Sequence, residues 1–228
     1  MRDILKRGLS QLGLSDDAMP QLETYASLLL EKNKVMNLTA ITEPQDVATL
    51  HLLDCAALLG HIAPEGKRVI DVGTGAGFPG MVLAILAPAA HFTLLDSLGK
   101  RVDFLQEVCR ALHLQNVTCV HARAEEFAGA HRESYDVAVS QLNVLCELTL
   151  PLVKVGGIFA AMKSVSSDEE IRAARSAAAQ LGGHIAASTD YTVPETDVVH
   201  RIVDIQKVRP TPPQFPRAFA RIKKAPLV

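Results

Sequence analysis

This chain reads as an α/β protein, a mainly parallel sheet with helices on both faces and a helical appendage at the N-terminus. Three observations predict it. Apolar runs at 69–72, 92–95, 117–120, 137–140 and 158–162 alternate with helix-period stretches, the rhythm of right-handed βαβ units. The first run, Val69-Ile70-Asp71-Val72, breaks into Gly73-Thr74-Gly75-Ala76-Gly77-Phe78-Pro79-Gly80, which reads as a buried strand, a tight turn and a helix start. A second acid, Asp96, closes the next strand, His91-Phe92-Thr93-Leu94-Leu95-Asp96.

The elements follow in chain order. Ser15 or Asp16 is the expected N-cap of a helix carrying Leu22, Tyr25, Ala26, Leu28 and Leu29 and ending near Asn33. Another helix is expected from Thr42, with Glu43-Pro44 in its first turn and Val47, Leu50, His51 and Asp54 along it. Residues 1–65 are therefore expected to form the appendage, 66–208 the sheet domain and 209–228 a basic, proline-rich tail. In the helix after Asp96, Val102, Leu105 and Val108 face the sheet, while Lys100 and Arg101 stand at its start. Cations there oppose the helix dipole at about 0.3–1 kcal/mol each, so an anion is expected nearby. Gly156-Gly157 predicts a turn, and 166–181 is helix-rich. The runs 185–192 and 198–206 predict a closing antiparallel pair at the sheet edge. Pro210, Pro212, Pro213 and Pro216 argue against regular structure in the tail.

Composition bounds the function classes. At 228 residues, 48% hydrophobic and 21% charged, the chain can bury a substantial core. Its apolar runs are broken by charge before the roughly 18 residues a bilayer span needs, and Met1 leads into Arg2-Asp3 instead of an apolar leader; a cytoplasmic protein with no membrane partner is expected. Cys55, Cys109, Cys119 and Cys146 lie far apart in sequence, and no His-x-x-x-His pair occurs, so no metal is expected and the cysteines read as small hydrophobes. The net charge of −2 conceals an asymmetry. Beyond Asp204 there is no acid but six cations, Lys207, Arg209, Arg217, Arg221, Lys223 and Lys224; without them 17 basic residues face 25 acids, a remainder of −8. A concentrated basic segment of this kind can attract phosphates.

The glycine turn carries the chemistry. Glycine allows positive φ and leaves no Cβ between backbone and ligand, and in an open α/β sheet ligands bind at the carboxyl ends of strands. Asp96 is then placed to accept from ribose hydroxyls, which points to an adenosine-bearing cofactor. A dinucleotide fingerprint needs glycine at its sixth position, where this chain has Phe78. Counted from Asp71 the pattern is Asp-x-Gly-x-Gly-x-Gly, which resembles the first motif of Rossmann-like (class I) S-adenosylmethionine-dependent methyltransferases. That resemblance implies that the loop backs the methionine and ribose portions and that Asp71 helps hold the amino-acid end. The helix starting near Phe78 would aim its positive end at the methionine carboxylate.

Further blocks narrow the resemblance. Asn37-Leu38-Thr39-Ala40-Ile41, His51-Leu52-Leu53-Asp54, Leu94-Leu95-Asp96-Ser97-Leu98-Gly99-Lys100-Arg101-Val102, Ala122-Arg123-Ala124-Glu125-Glu126, Pro151-Leu152-Val153-Lys154 and Ala161-Met162-Lys163 together resemble the RsmG (GidB) family, nearly end to end. The family implies transfer of a methyl group from S-adenosylmethionine to N7 of a guanine in bacterial small-subunit (16S) ribosomal RNA, with that RNA or a ribosomal subunit precursor as partner and the protein a monomer. It places Gly73, Gly75, Gly77 and Phe78 in the cofactor loop, Asp96 at the ribose, and Ala124-Glu125 at the adenine edge. Glu125 reads equally as a solvated carboxylate. His51 and Asp54, one turn apart, read either as lining the site's mouth or as locking the appendage onto the sheet.

Lys100, Arg101, Lys163, Arg201, Arg217 and the tail cations are expected to grip RNA phosphates. Aromatic content is only 4% without tryptophan, so recognition of a shaped RNA through its backbone is expected over base stacking. No catalytic residue is assigned, because guanine N7 bears a lone pair and no proton. One departure stands out. Family members continue the fourth strand as Ser-Arg-Ala before a leucine-rich helix, whereas here Ser140 runs directly into Gln141-Leu142-Asn143. The junction reads either as a shortened loop lacking that arginine or as an interruption in the chain as read; a continuous trans peptide requires about 3.8 Å between the two Cα atoms. A true loss of the arginine would favour a noncatalytic RNA-binding scaffold. A nicotinamide-dependent oxidoreductase shares the strand-glycine-acid layout, and Phe78 counts against it.

Overall fold

A computed structural model describes residues 1–140 and 146–227. The Ser140–Gln141 junction lies outside the described residues.

Helices α1 (Arg2–Gln11) and α2 (Met19–Met36) are followed by α3 (Pro44–Asp46), a π-helical stretch (Val47–Leu53), α4 (Asp54–Ala57) and α5 (Leu59–Ile62). The sheet domain then runs β1 (Arg68–Val72), α6 (Gly80–Leu86), β2 (His91–Asp96), α7 (Gly99–Ala111), β3 (Val117–His121), α8 (Ala124–Ala130), β4 (Tyr135–Ser140), α9 (Cys146–Thr149), β5 (Val153–Ser164), α10 (Asp168–Gln180), β6 (Gly183–Thr192), β7 (Val199–Lys207) and α11 (Phe219–Lys224). The seven strands lie in the order β3-β2-β1-β4-β5-β7-β6. The pairs β3·β2, β2·β1, β1·β4 and β4·β5 are parallel, and β7 is antiparallel to both β5 and β6. The closing antiparallel pair is thus where its alternation placed it, with β7 inserted between β5 and β6. Both β1 and β2 reach their carboxyl ends beside the reversal between β1 and β4, where a crevice forms.

Side chains alternate between the two faces of the sheet, as the pleat requires. Val69, Leu94, Val137, Val139 and Ala160 face one way and pack with Leu5, Leu9, Leu22, Tyr25, Leu29 and Leu53 of the N-terminal helices. Ile70, Leu95, Ala138, Phe159 and Ala161 face the other way, against Ile171, Ala174 and Ala178 of α10. The N-terminal helices therefore share one core with the sheet. Within them, Gly8 lets α1 lie close against the Val47–Leu53 stretch, since a Cβ there would lie 2.2 Å from Leu53 Cδ1.

Four expectations change. Helix α2 begins at Met19, not at Ser15 or Asp16: Ser15 Oγ instead accepts from the Asp17 amide at 3.2 Å and closes a turn ahead of the helix. Helix α1 lies in the expected helical appendage, but its bounds are not among the elements read from the sequence; it lacks a side-chain N-cap, and a short helix of this kind draws its stability from packing. The tail, despite its four prolines, forms α11 and keeps Ile222 2% exposed, because the helix starts beyond Pro216. Finally, Cys109 and Cys119, distant in sequence, bring their sulfurs to 3.8 Å.

Candidate active site

The glycine turn is held by both neighbouring strands. The amides of Gly73 and Thr74 donate to the Leu95 carbonyl at 2.8 and 3.1 Å, tying the loop to β2. Gly73 (φ 73°) and Gly75 (φ 61°) occupy the left-handed region, which L-residues with a Cβ enter only at a cost. This conformation turns the Gly75 amide toward Asp96, whose Oδ2 accepts it at 2.9 Å. Asp96 Oδ1 accepts from the Leu98 amide at 2.9 Å, and Arg101 approaches Oδ2 at 3.5 Å. The Asp96 carboxylate, only 3% exposed, is thus aimed by backbone donors. A carboxylate has about four acceptor positions, so capacity remains for a ligand hydroxyl.

Two cavities meet at this carboxylate. The first, of about 210 Å³, is bounded by Gly73, Leu95, Asp96, Ala122, Arg123, Ala124, Glu125, Leu148 and Phe219. The second, of about 310 Å³, is bounded by Thr39, His51, Gly73, Gly75, Phe78, Asp96 and Arg101. Gly73, Asp96 and Ser97 line both. The wall residues match an adenosine-bearing group: mostly apolar surfaces for a flat base, and a buried acceptor where a ribose would pass.

Asp71 stands elsewhere. It is fully buried, and its Oδ2 accepts from Thr74 Oγ1 at 2.6 Å and from the Gly80 amide at 2.8 Å. It borders neither cavity. The carboxylate at the start of α6 is therefore Asp71 itself, in the position the sequence suggested for a methionine carboxylate. Burial pushes the Asp71 carboxyl up to about 7, against the lowering effect of the Thr74 and Gly80 hydrogen bonds. Oδ1 is buried without a hydrogen-bond partner, which a protonated acid tolerates better than a carboxylate.

Gly77 also looks away from the cavities. Its φ is 110°, and a Cβ there would lie 2.6 Å from the Tyr25 hydroxyl. Phe78 is 6% exposed and stacks on His51, with ring centroids 4.3 Å apart and planes at 13°. His51 Nε2 lies 2.7 Å from Thr39 Oγ1, and burial lowers the imidazole's pKa. Thr39 is delivered by a turn that Asn33 organises, its Oδ1 accepting the Leu38 and Thr39 amides at 2.6 and 2.9 Å. Asp54 does not pair with His51. It accepts from Tyr191 Oη at 2.5 Å and lies 2.9 Å from His200 Nδ1, which joins the appendage to β6 and β7. His51 lines the second cavity, so the two residues divide the two roles the sequence left open.

The expected phosphate-gripping cations separate into groups. Arg101 leans over Asp96, which is the anion its place at the start of α7 required. Lys163 is paired with Glu170 at 2.8 Å, and Arg201 with Asp168 and Asp190. Arg217 forms a two-pronged pair with Glu147 at 2.7 and 2.6 Å. Lys100, Arg221, Lys223 and Lys224 are exposed, and among the described residues no acid lies within ion-pair distance of them.

Glu125 and Ala124 open α8 on the wall of the first cavity. Sequence reasoning missed Leu148, Phe219 and Tyr25. For Tyr25 a signal existed, a large polar-tipped ring on the apolar face of α2. For Phe219 none did, since its partners are remote in sequence. Among the described residues no group of three or more His, Cys, Asp or Glu is placed to hold a metal ion, and no helix is long and apolar enough to cross a membrane.

Comparison with known proteins identifies the family. The model of the GidB family, described as rRNA small subunit methyltransferase G, matches residues 18–195. A ribosomal RNA small subunit methyltransferase G from Alkaliphilus metalliredigens (strain QYMF) is 44% identical over 233 residues, covering 98% of each chain. One from Clostridium perfringens (strain 13 / Type A) is 39% identical over 234 residues, covering 99% of this chain and 98% of its own. Among solved structures, TrmN from Thermus thermophilus is 23% identical over 68% of this chain and 48% of its own, with a TM-score of 0.53. TYW2 from M. jannaschii, solved in complex with AdoMet, is 15% identical over 63% of this chain and 70% of its own, with a TM-score of 0.52. At such identities the two structures speak to the fold alone.

Proposed function

The chain belongs to the rRNA small subunit methyltransferase G family, and from that premise we infer how this crevice serves an S-adenosylmethionine-dependent rRNA methyltransferase. The reaction is methyl transfer to N7 of a guanine in bacterial small-subunit ribosomal RNA. The observation that carries the assignment of the site is the buried Asp96 carboxylate, held by the Gly75 and Leu98 amides at the junction of two cavities.

In this reading Asp96 accepts the ribose hydroxyls, and Ala124 and Glu125 border the adenine in the first cavity. Gly73 and Gly75 let the backbone lie against the sulfonium end, and what extends past the ribose runs toward Thr39, His51 and Phe78. S-adenosylmethionine, when bound, supplies an electrophilic methyl group. Guanine N7 has a lone pair and no proton, so the protein needs no base at the acceptor; its task is to hold the reactants in line and keep water out. Such positioning can contribute up to ~7–11 kcal/mol. Asp71 and Tyr25 hold the loop from behind without touching the reactants. We assign the RNA phosphates to Lys100 and to Arg221, Lys223 and Lys224 of α11, whose charges are not spent on acids, and place the reaction in the cytoplasm, where its RNA is.

The test is primer extension on unmethylated small-subunit RNA incubated with the protein and S-adenosylmethionine, then treated with borohydride and aniline, which cleave the strand at N7-methylguanosine. A single new stop at a guanine is expected. Methyl incorporation at a different base atom would overturn the reading.

A further inference from the structure

Phe219 is an anomaly in its own helix. Ile222, one turn on, is buried to 2%, whereas the Phe219 side chain is left 38% exposed at the rim of the first cavity, with Leu95, Ala122 and Leu148 on the same wall. A large exposed ring facing an apolar cavity is a surface waiting for a flat partner.

The chain leading to it is fixed at successive points. Lys207 is fully buried, and its Nζ donates to the Leu150 carbonyl at 2.6 Å and to Thr211 Oγ1 at 2.7 Å. The Thr211 amide donates to Glu133 at 2.8 Å, and the Arg132 guanidinium donates to the Phe215 and Pro212 carbonyls at 2.7 and 2.9 Å. Arg217 then reaches Glu147, whose side chain is 3% exposed and directly precedes Leu148 of the cavity wall. This segment is thus bound to the α8–β4 connection, to the turn after α9 and to α9 itself, the last of which lends Leu148 and Thr149 to the cavity.

Resting on the cofactor assignment above, we propose that Phe219 covers the adenine of the bound cofactor, and that the Arg217–Glu147 pair is the positioning contact that keeps the ring over the cavity. The C-terminal segment is then part of the cofactor site, with its free cations set at the rim where RNA would arrive.

The chain has no tryptophan, so Phe219→Trp places a single indole at the rim. Its emission should change saturably with S-adenosylhomocysteine and with 5′-methylthioadenosine, which shares the adenine and ribose, and not with methionine. By calorimetry, Phe219→Ala should weaken both adenine-bearing ligands by a similar factor, on the order of tenfold from lost stacking. Arg217→Lys, which keeps the charge but not the two-pronged geometry, should reduce the affinity and, combined with Phe219→Trp, the indole response, at temperatures well below the melting point. Unaltered binding by Phe219→Ala together with a flat indole signal at saturating S-adenosylhomocysteine would overturn the proposal alone. Failure of the unsubstituted protein to bind S-adenosylhomocysteine would overturn the cofactor assignment and this proposal with it.

Discussion

The Tyr25 hydroxyl donates to the Ala76 carbonyl at 2.7 Å, across 51 residues of chain. The same hydroxyl, together with Met81 Cβ, takes up the space a Cβ on Gly77 would need. The glycine turn is therefore shaped from two sides, by Asp96 and Leu95 in front and by an N-terminal helix behind. The appendage is a structural support of the glycine turn.

Gly77→Ala should cost about 1–3 kcal/mol of stability, from a positive φ and a clash with the buried Tyr25 hydroxyl and Met81 Cβ. Tyr25→Phe keeps the ring and loses only the hydrogen bond, so about 1–3 kcal/mol is expected there as well, the larger figure if the Ala76 carbonyl stays unsatisfied. Both should also weaken S-adenosylhomocysteine binding. Urea denaturation and calorimetry measure the two effects, and a Gly77→Ala protein as stable as its parent would contradict this account.

Asp96→Ala removes both the ribose acceptor and the anchor of the Gly75 amide. A charged hydrogen bond contributes roughly 1.5–3 kcal/mol, so binding of S-adenosylhomocysteine should drop below calorimetric detection. Asp96→Asn, which still offers one acceptor oxygen, should bind with intermediate affinity. Unchanged affinity in the alanine variant would remove Asp96 from the site.

Asp71 makes stability depend on pH. In the fold its carboxyl titrates at about 7, whereas the ordinary value is 3.8. The folded chain thus keeps a proton that the unfolded chain releases, so the contribution is complete below the ordinary value and is lost as pH climbs through 7. Asp71→Asn should flatten the stability profile across that interval, as read from urea midpoints at successive pH values. Parallel profiles for the two proteins would count against a protonated Asp71.

The basic residues should divide by their partners. Lys100→Ala and Arg221→Ala should weaken RNA binding and each lower the slope of log affinity against log salt by about 0.7–0.9, with little change in melting temperature. Arg201→Ala should do the reverse, since its guanidinium is held by Asp168 and Asp190. Filter binding over a salt series separates the two classes, and equal slope changes for Lys100 and Arg201 would contradict the assignment.

Much of this protein is written locally. Strands β1, β2 and β4 are buried on both faces, and that doubled burial is visible as nearly continuous apolar runs. The turn after β1 is visible because the positive φ at Gly73 and Gly75 favours glycine. Asp96 is visible because a strand end is a fixed place in an α/β sheet. The π-helical stretch at Val47–Leu53 left no such mark, since apolar spacing over so short a segment does not separate it from an ordinary helix.

The sequence by itself determined the βαβ order, the glycine turn and the pair of acids that end two neighbouring strands. Only the tertiary structure decided which acid faces the crevice: Asp96 meets both cavities, while Asp71 turns inward to Thr74 and Gly80. It also decided that Gly77 answers to Tyr25, that Arg217 serves Glu147, and that Phe219 arrives at the wall of the first cavity. The reason is physical. Strand alternation and backbone sterics act between neighbours along the chain, whereas burial and pairing are fixed by which distant segments the packed core brings together.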